Sequence, residues 1–281
     1  EQVRHVSADR VAEDAAGTFP GRVAELAPDV VVDLICFTLE SATALVERLR
    51  GEVGHLLSCG SIWRHGPSRK APITEDDDTA PFGEYGVQKA AIARMLKAES
   101  ASGGLVTTSL HPGHISGPGW HPIGPLGNVD PSVWWKLSAG EPLDIPGIGA
   151  EFMHHVHADD VAQAFELAIA HRDAAAGEDF TVTAATALNV RGLAEIGAAW
   201  FGRTANLRMV TWDEFRRITS EDAYDASWNH LVRDHCFSIG KARARLGYTP
   251  RYEPEEAVLA GVRWLIEHGQ LEVAAPLVQP S

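Results

Sequence analysis

PDVVVDLICFTLESATALVERLRGEVGHLLSCG, residues 28–60, contains one whole supersecondary unit. Its first third, PDVVVDLICF (28–37), is a near-continuous apolar run rich in β-branched side chains, as expected of a strand buried on both faces. LESATALVERLRG (39–51) then spaces its apolar residues at helical intervals and stops at Gly51, a residue suited to the turn that ends a helix. GHLLSCG (54–60) is a second apolar run of strand length. Strand, helix, strand in this order predicts two parallel strands joined by a crossover helix.

The same alternation continues on both sides. PGRVAELA (20–27) predicts a helix with Pro20 near its start, and QVRHVSAD (2–9) a short β-branched strand ending in a polar turn. GEYGVQKAAIARML (83–96) opens a helix running to about Ser102, and GLVTTSL (104–110) is another strand. The implied class is α/β, a doubly wound parallel sheet of Rossmann type. HPGHISGPGWHPIGPLGNVDP (111–131) is rich in Gly and Pro; it predicts a long loop without regular structure, of the kind that carries function. PSVWWKLSAG (131–140) predicts a short helix. EFMHHVHADDVAQAFELAIAH (151–171) predicts a strand and then a helix, with Asp159 or Asp160 as its cap. From about Ala185 the chain is mostly helical. The expected division is 1–112 plus 152–184 as the sheet domain, and 113–151 plus 185–281 as a smaller, mostly helical lobe.

Composition narrows the function classes. With 24 basic and 38 acidic residues among 281, the net charge is −14, which opposes nucleic acid and anionic lipid as general partners. No apolar run approaches the roughly 18 residues needed to span a bilayer, and no signal peptide is visible. Cys36, Cys59 and Cys236 are odd in number and widely spaced, which suits a reducing cytoplasm rather than a disulfide framework. The chain opens at Glu1 in what reads as mid-strand, implying that a further N-terminal piece precedes it.

In a doubly wound sheet, ligands bind beyond the carboxyl ends of the strands. Those ends carry CFT (36–38), SCGSIW (58–63) and HPGHISG (111–117), and Tyr85 begins the helix after the second. Residues i and i+4 share a helix face, so Lys89 sits one turn below Tyr85. A nearby cation favours phenolate and lowers a phenol's pKa from about 10, giving a group able to exchange a proton near neutral pH. Ser58 and Ser61 supply hydroxyls at the adjacent strand end. HHVHADD (154–160) offers a rival chemistry, since two His and an Asp can hold zinc. His111, His114 and His121 fit no standard metal spacing and read as polar groups lining a substrate pocket. Trp120, Trp134 and Trp135 serve equally as stacking platforms or as apolar cover. EDDD (75–78) reads as a solvated turn.

These motifs in this order resemble the extended short-chain dehydrogenase/reductases, the NAD-dependent epimerase/dehydratase group. The Ser–loop–Tyr-x-x-x-Lys–strand–HPGHISGPG sequence carries the likeness, with EFMHHVHADDVAQAFELAI, SIGKARARLGYTP (238–250) and SADR (7–10) in support. The resemblance implies Tyr85 as general acid/base, Lys89 as its tuner and a ribose ligand, and Ser61 as the catalytic hydroxyl with Ser58 in reserve. It implies cofactor contacts at Asp9, Arg10, Leu34, Ile35, Cys36, Lys89 and Pro112, and substrate contacts at His114, Thr38 and Trp63. The sheet domain would hold NAD, or NADP, and the helical lobe a small-molecule substrate such as a nucleotide sugar. A homodimer, no metal and a cytoplasmic location are further expectations. The group's Gly-x-x-Gly-x-x-Gly turn is absent from this sequence. An acidic residue beside the Ser, usual for dehydration, is also missing, the neighbours being Gly60 and Ile62. The alternative is a catalytically silent dinucleotide sensor or scaffold of the same fold.

Overall fold

The computed structural model describes residues 3–278. Two compact units emerge, Glu1–Arg64 with Pro81–His111 and Phe165–Asp179, and His65–Ala80 with Pro112–Ala164 and Phe180–Ser281.

The first unit begins with helices α1 (Arg10–Ala15) and α2 (Phe19–Glu25), then β1 (Val30–Asp33), α3 (Leu39–Leu49), β2 (His55–Cys59), α4 (Glu84–Ala101) and β3 (Thr107–Pro112). β1 pairs in parallel with β2, Val32 opposite Leu57, and β2 in parallel with β3, Leu57 opposite Thr108. A fourth strand (Asp179–Val182) completes a sheet in which β1 is an edge. The α/β class and parallel sheet expected from the sequence are thus present. Thr38 caps α3, its hydroxyl accepting from Ser41 N at 3.2 Å, and Gly51 with φ +79° closes the turn after α3. Leu45, Val46 and Leu49 of α3 bury their faces with Leu56 of β2 and Ile92 and Leu96 of α4.

Two expectations fail here. Residues 3–9 form no strand, because no described strand offers them a ladder, and an unpaired β-branched run has no partners for its backbone. Nor is β1 fully buried: Val32 is 41% exposed, since an edge strand is covered less completely than an interior one. Gln2, the first residue of that expected strand, lies outside the described residues. Arg10 on α1 ties the end of β1 down. It forms a bidentate pair with Asp33, one contact at 3.0 Å, and also reaches Asp14 at 3.3 Å and Ser41 Oγ at 3.0 Å.

The second unit holds β4 (His114–Ser116), α5 (Ser132–Ala139), β5 (Pro142–Pro146), β6 (Phe152–Met153) and β7 (His155–His157). Helix α6 (Ala158–Ala170) follows β7, and after the sheet's fourth strand come several helices and a strand (Asn206–Val210) parallel to β5. The Gly/Pro-rich stretch is therefore not wholly irregular: its residues 114–116 pair in parallel with 155–157. Gly113 permits this, because a Cβ there would overlap the carbonyl oxygen of His154. α6 is capped by His157 rather than by an aspartate, the Asp159 N–H donating to His157 Nδ1 at 3.1 Å. Asp160 instead accepts from the backbone of Arg251 and Tyr252. Glu75 is buried and accepts from Thr181 N at 2.7 Å, so EDDD is not a purely solvated turn. Trp134 is a core residue stacked on Trp200 at 5.8 Å.

Three buried imidazoles of this unit, His154, His155 and His235, and the half-buried His230 are pushed by desolvation down to about 4, 3, 3 and 4. Unfolding returns each to its ordinary value near 6.5. Between those values the unfolded chain binds more protons, so stability is complete above pH 6.5 and is lost as pH falls. Urea unfolding followed by tryptophan fluorescence should give a clearly lower midpoint at pH 5 than at pH 7.5, by about 1–2 kcal/mol per imidazole. In the first unit, Arg10→Met strands a buried carboxylate and should cost about 3 kcal/mol. Arg10→Met combined with Asp33→Leu should recover most of that loss in thermal denaturation.

Candidate active site

The site grows from the end of β2. After Cys59 the chain turns at Gly60 and makes one 3-10 turn, Ile62–Arg64. Ser61 caps that turn, its Oγ accepting from Trp63 N at 3.1 Å, while its own N–H donates to His111 Nδ1 at 3.2 Å. α4 enters through Gly83, whose φ of +71° is open to glycine. Its first turn lies hard against the 3-10 turn: a Cβ at Gly86 would come within 2.6 Å of Trp63 O. This close approach brings Tyr85 beside Ser61, near enough for Ser61 to favour the ionised phenol. The Tyr85 ring stands edge-on to Trp63 at 5.9 Å and lies 6.3 Å from Phe37.

Lys89 is buried one turn along. Its Nζ donates to Cys36 O and to Cys59 O, both at 2.8 Å. Cys36 in the loop after β1 and Cys59, the last residue of β2, are thereby tied to one ammonium, and two of its three N–H groups are used. Nζ lies 5.7 Å from the Tyr85 ring centroid and 5.1 Å from that of Phe37.

The electrostatics differ from the expectation raised by the i, i+4 spacing. Burial pushes the Tyr85 phenol above its ordinary value, outweighing the opposing influence of Ser61. The ammonium is held by two carbonyls, and its own pKa is lowered by desolvation. Tyr85 is therefore a neutral phenol at neutral pH, still 40% exposed, poised to give a proton rather than to take one.

The other expected residues divide clearly. Ser58 is buried in the sheet with Asp33 and Ser109 as its lateral neighbours, so the hydroxyl that meets Tyr85 belongs to Ser61. Asp9 caps α1 through Ala12 N at 3.0 Å, and Arg10 is engaged with Asp33; both support the strand-end loop. Leu34 and Ile35 are 56% and 57% exposed. The Cys36 thiol is buried and pushed upward by desolvation; its carbonyl holds Lys89. Thr38 serves as a helix cap, and Trp63 flanks Tyr85. Pro112 and His114 belong to the second unit. There His114 packs against His155 and His230 at 5.4 and 5.1 Å, and neither of its ring nitrogens has a hydrogen-bond partner.

Sequence reasoning missed Arg64 and Asp179, which pair at 2.6 Å across 115 residues of chain. It also missed the backbone role of His111. The only local sign was Gly60, where a Cβ would overlap the His111 ring.

The residues present fit the nicotinamide end of a dinucleotide. Exposed Leu34, Ile35 and Phe37 offer apolar surface beside a phenol and an ammonium with one N–H to spare. The sequence has no glycine-rich turn to cradle a pyrophosphate. Among the described residues no group of three or more His, Cys, Asp or Glu could hold a metal ion. Nor is any described helix long and apolar enough to cross a membrane.

Comparison with known proteins agrees. Residues 27–183, more than half of the chain, match the NAD dependent epimerase/dehydratase family. 2'-Dehydrokanamycin reductase of Streptomyces kanamyceticus is 29% identical over 172 residues, covering 61% of this chain and 47% of that protein. The chain thus spans about half the length of the curated relative it matches. Among solved structures, a double mutant of DesIV, the dTDP-glucose 4,6-dehydratase from Streptomyces venezuelae with NAD and DAU bound, superposes with a TM-score of 0.68 at 21% identity, covering 90% of this chain and 78% of that one. The epimerase Mth375 from Methanothermobacter thermautotrophicus gives a TM-score of 0.70 at 20% identity, covering 94% and 79%. These two likenesses establish a shared fold. Motif order, sheet topology and family match converge, and the chain belongs to the NAD-dependent epimerase/dehydratase family.

Proposed function

We propose that this chain carries the proton-transfer half of an NAD(P)-dependent active site that reduces a carbonyl on a sugar-like small molecule. The observation behind the reading is the neutral Tyr85 phenol, set beside Ser61 and one turn above an ammonium held by the backbone carbonyls of Cys36 and Cys59. Bound nicotinamide dinucleotide would supply the hydride. Leu34, Ile35 and Phe37 would line its ring end, and Lys89 would offer its remaining N–H to a hydroxyl there.

The chain's own contribution is the proton. Ser61 holds the carbonyl oxygen by a hydrogen bond, and Tyr85 donates to that oxygen as negative charge develops on it. A phenol raised above its ordinary pKa is in the form that reduction requires. The reductase named among the relatives supports this direction. In this reading residues 1–112 with 152–184 hold the cofactor, with NAD preferred, and 113–151 with 185–281 bind substrate; a homodimer in the cytoplasm is part of the same proposal.

The test is loss of nicotinamide absorbance at 340 nm when full-length protein and reduced dinucleotide meet a panel of keto-sugars, amino keto-sugars and nucleotide keto-sugars. Tyr85→Phe should lower turnover about 10²–10⁴-fold, the usual worth of a positioned acid, with dinucleotide affinity changed little. The wild-type rate should hold from about pH 7 to 9 and fall only as pH rises through the elevated phenol pKa, because the acid form is lost on that side. Dinucleotide binding without turnover on any member of the panel would identify a sensor instead.

A further inference from the structure

His111 ends up in an unusual position. It is buried at the end of β3, and its imidazole lies so close over Gly60 that no side chain fits there. Two donors face its two nitrogens. Ser61 N–H points at Nδ1 from 3.2 Å, and Arg64 Nη1 approaches Nε2 at 3.4 Å. A neutral imidazole has one acceptor nitrogen and one N–H, so it can serve only one of them. The geometry favours Ser61. Its contact is the shorter, and Arg64 Nη1 already donates to Asp179 at 2.6 Å, with Lys97 on the other carboxylate oxygen at 3.3 Å.

We propose that His111 is held as the neutral tautomer with its proton on Nε2, and that through Nδ1 it is the positioning residue that sets where the Ser61 hydroxyl meets Tyr85. The Ser61 carbonyl accepts from Arg64 N at 3.1 Å and the Gly60 amide donates to Leu110 O at 2.7 Å, which leaves His111 as the partner of the Ser61 amide itself. Gly60 before it has no side chain to anchor, and the Ser61 hydroxyl oxygen accepts from Trp63 N, leaving its own O–H for the substrate oxygen. The His111 acceptor fixes the amide, and the amide fixes the direction of Oγ. A protonated ring would turn a donor toward each of two donors and add a charge beside the Arg64 guanidinium, so the arrangement works only with the neutral ring. Arg64 and Asp179 brace the far side.

The inference rests on Ser61 and Tyr85 acting as the proton-transfer pair, and its test separates the two ideas. In full-length enzyme, His111→Asn keeps an acceptor oxygen near the place of Nδ1, whereas His111→Leu removes it. Leu should lower kcat for carbonyl reduction about 10²-fold, the cost of a displaced catalytic group, with substrate KM within about threefold. Asn should restore kcat to within about fivefold of wild type. Equal losses in both variants, or no loss in either, overturn the proposal. A second measurement needs neither turnover nor a folded variant: ¹⁵N-histidine correlation spectra of the wild type should show His111 Nδ1 unprotonated and Nε2 protonated at neutral pH. The opposite tautomer, or a charged ring, also overturns it. If instead Ser61→Ala and Tyr85→Phe both retain full turnover, the reading of the pair itself fails, whatever the tautomer of His111.

Discussion

Lys89 is the constraint on which the site depends. An ammonium buried away from water is stable only with its protons shared, and the two acceptors it has found are carbonyls at the ends of neighbouring strands. That choice couples three things at once: the spacing of β1 and β2 where they open into the crevice, the pitch of α4, and the placement of the phenol on the turn above. A lysine that merely lent its charge could point in many directions. One that bridges two backbone carbonyls fixes the helix that carries Tyr85, and so acts first as a brace and second as a charge.

The consequence for chemistry is a shift of emphasis. The i, i+4 pair invites the idea of an acidified phenol, but desolvation and backbone hydrogen bonds both act against it in the protein alone. What the protein by itself prepares is a neutral acid next to a hydroxyl. Any further pull toward phenolate would have to come from a bound group rather than from the chain itself.

Much of the fold was legible because it follows from periodicity and caps. α3 lies between Thr38 and Gly51 as its end signals require, and α4 runs to the residue before Ser102. The parallel strands follow from the strand–helix alternation. What could not be read depends on neighbours remote in sequence. The depth of β1 burial depends on what lies beyond the sheet edge. The pairing of 114–116 needs a partner some forty residues away and a glycine whose reason is the backbone of His154. Helix α6 takes its cap from a histidine on the preceding strand because both nearby aspartates face other partners. In the site itself, spacing proposes Tyr85, Lys89 and Ser61, and the close approach of α4 to the turn after β2 sets Tyr85 beside Ser61. The Asp179–Arg64–His111 group could not be found, since its members come from three separate segments and none has a local signature.

The packing of His111 over Gly60 has an evolutionary corollary. The two positions exclude each other's volume, so neither can drift alone: a larger residue at 60 demands a smaller one at 111, which in turn would leave the amide of 61 without its acceptor. Across related chains the pair should therefore covary as a unit, and a library randomised at position 60 by itself should return glycine almost exclusively.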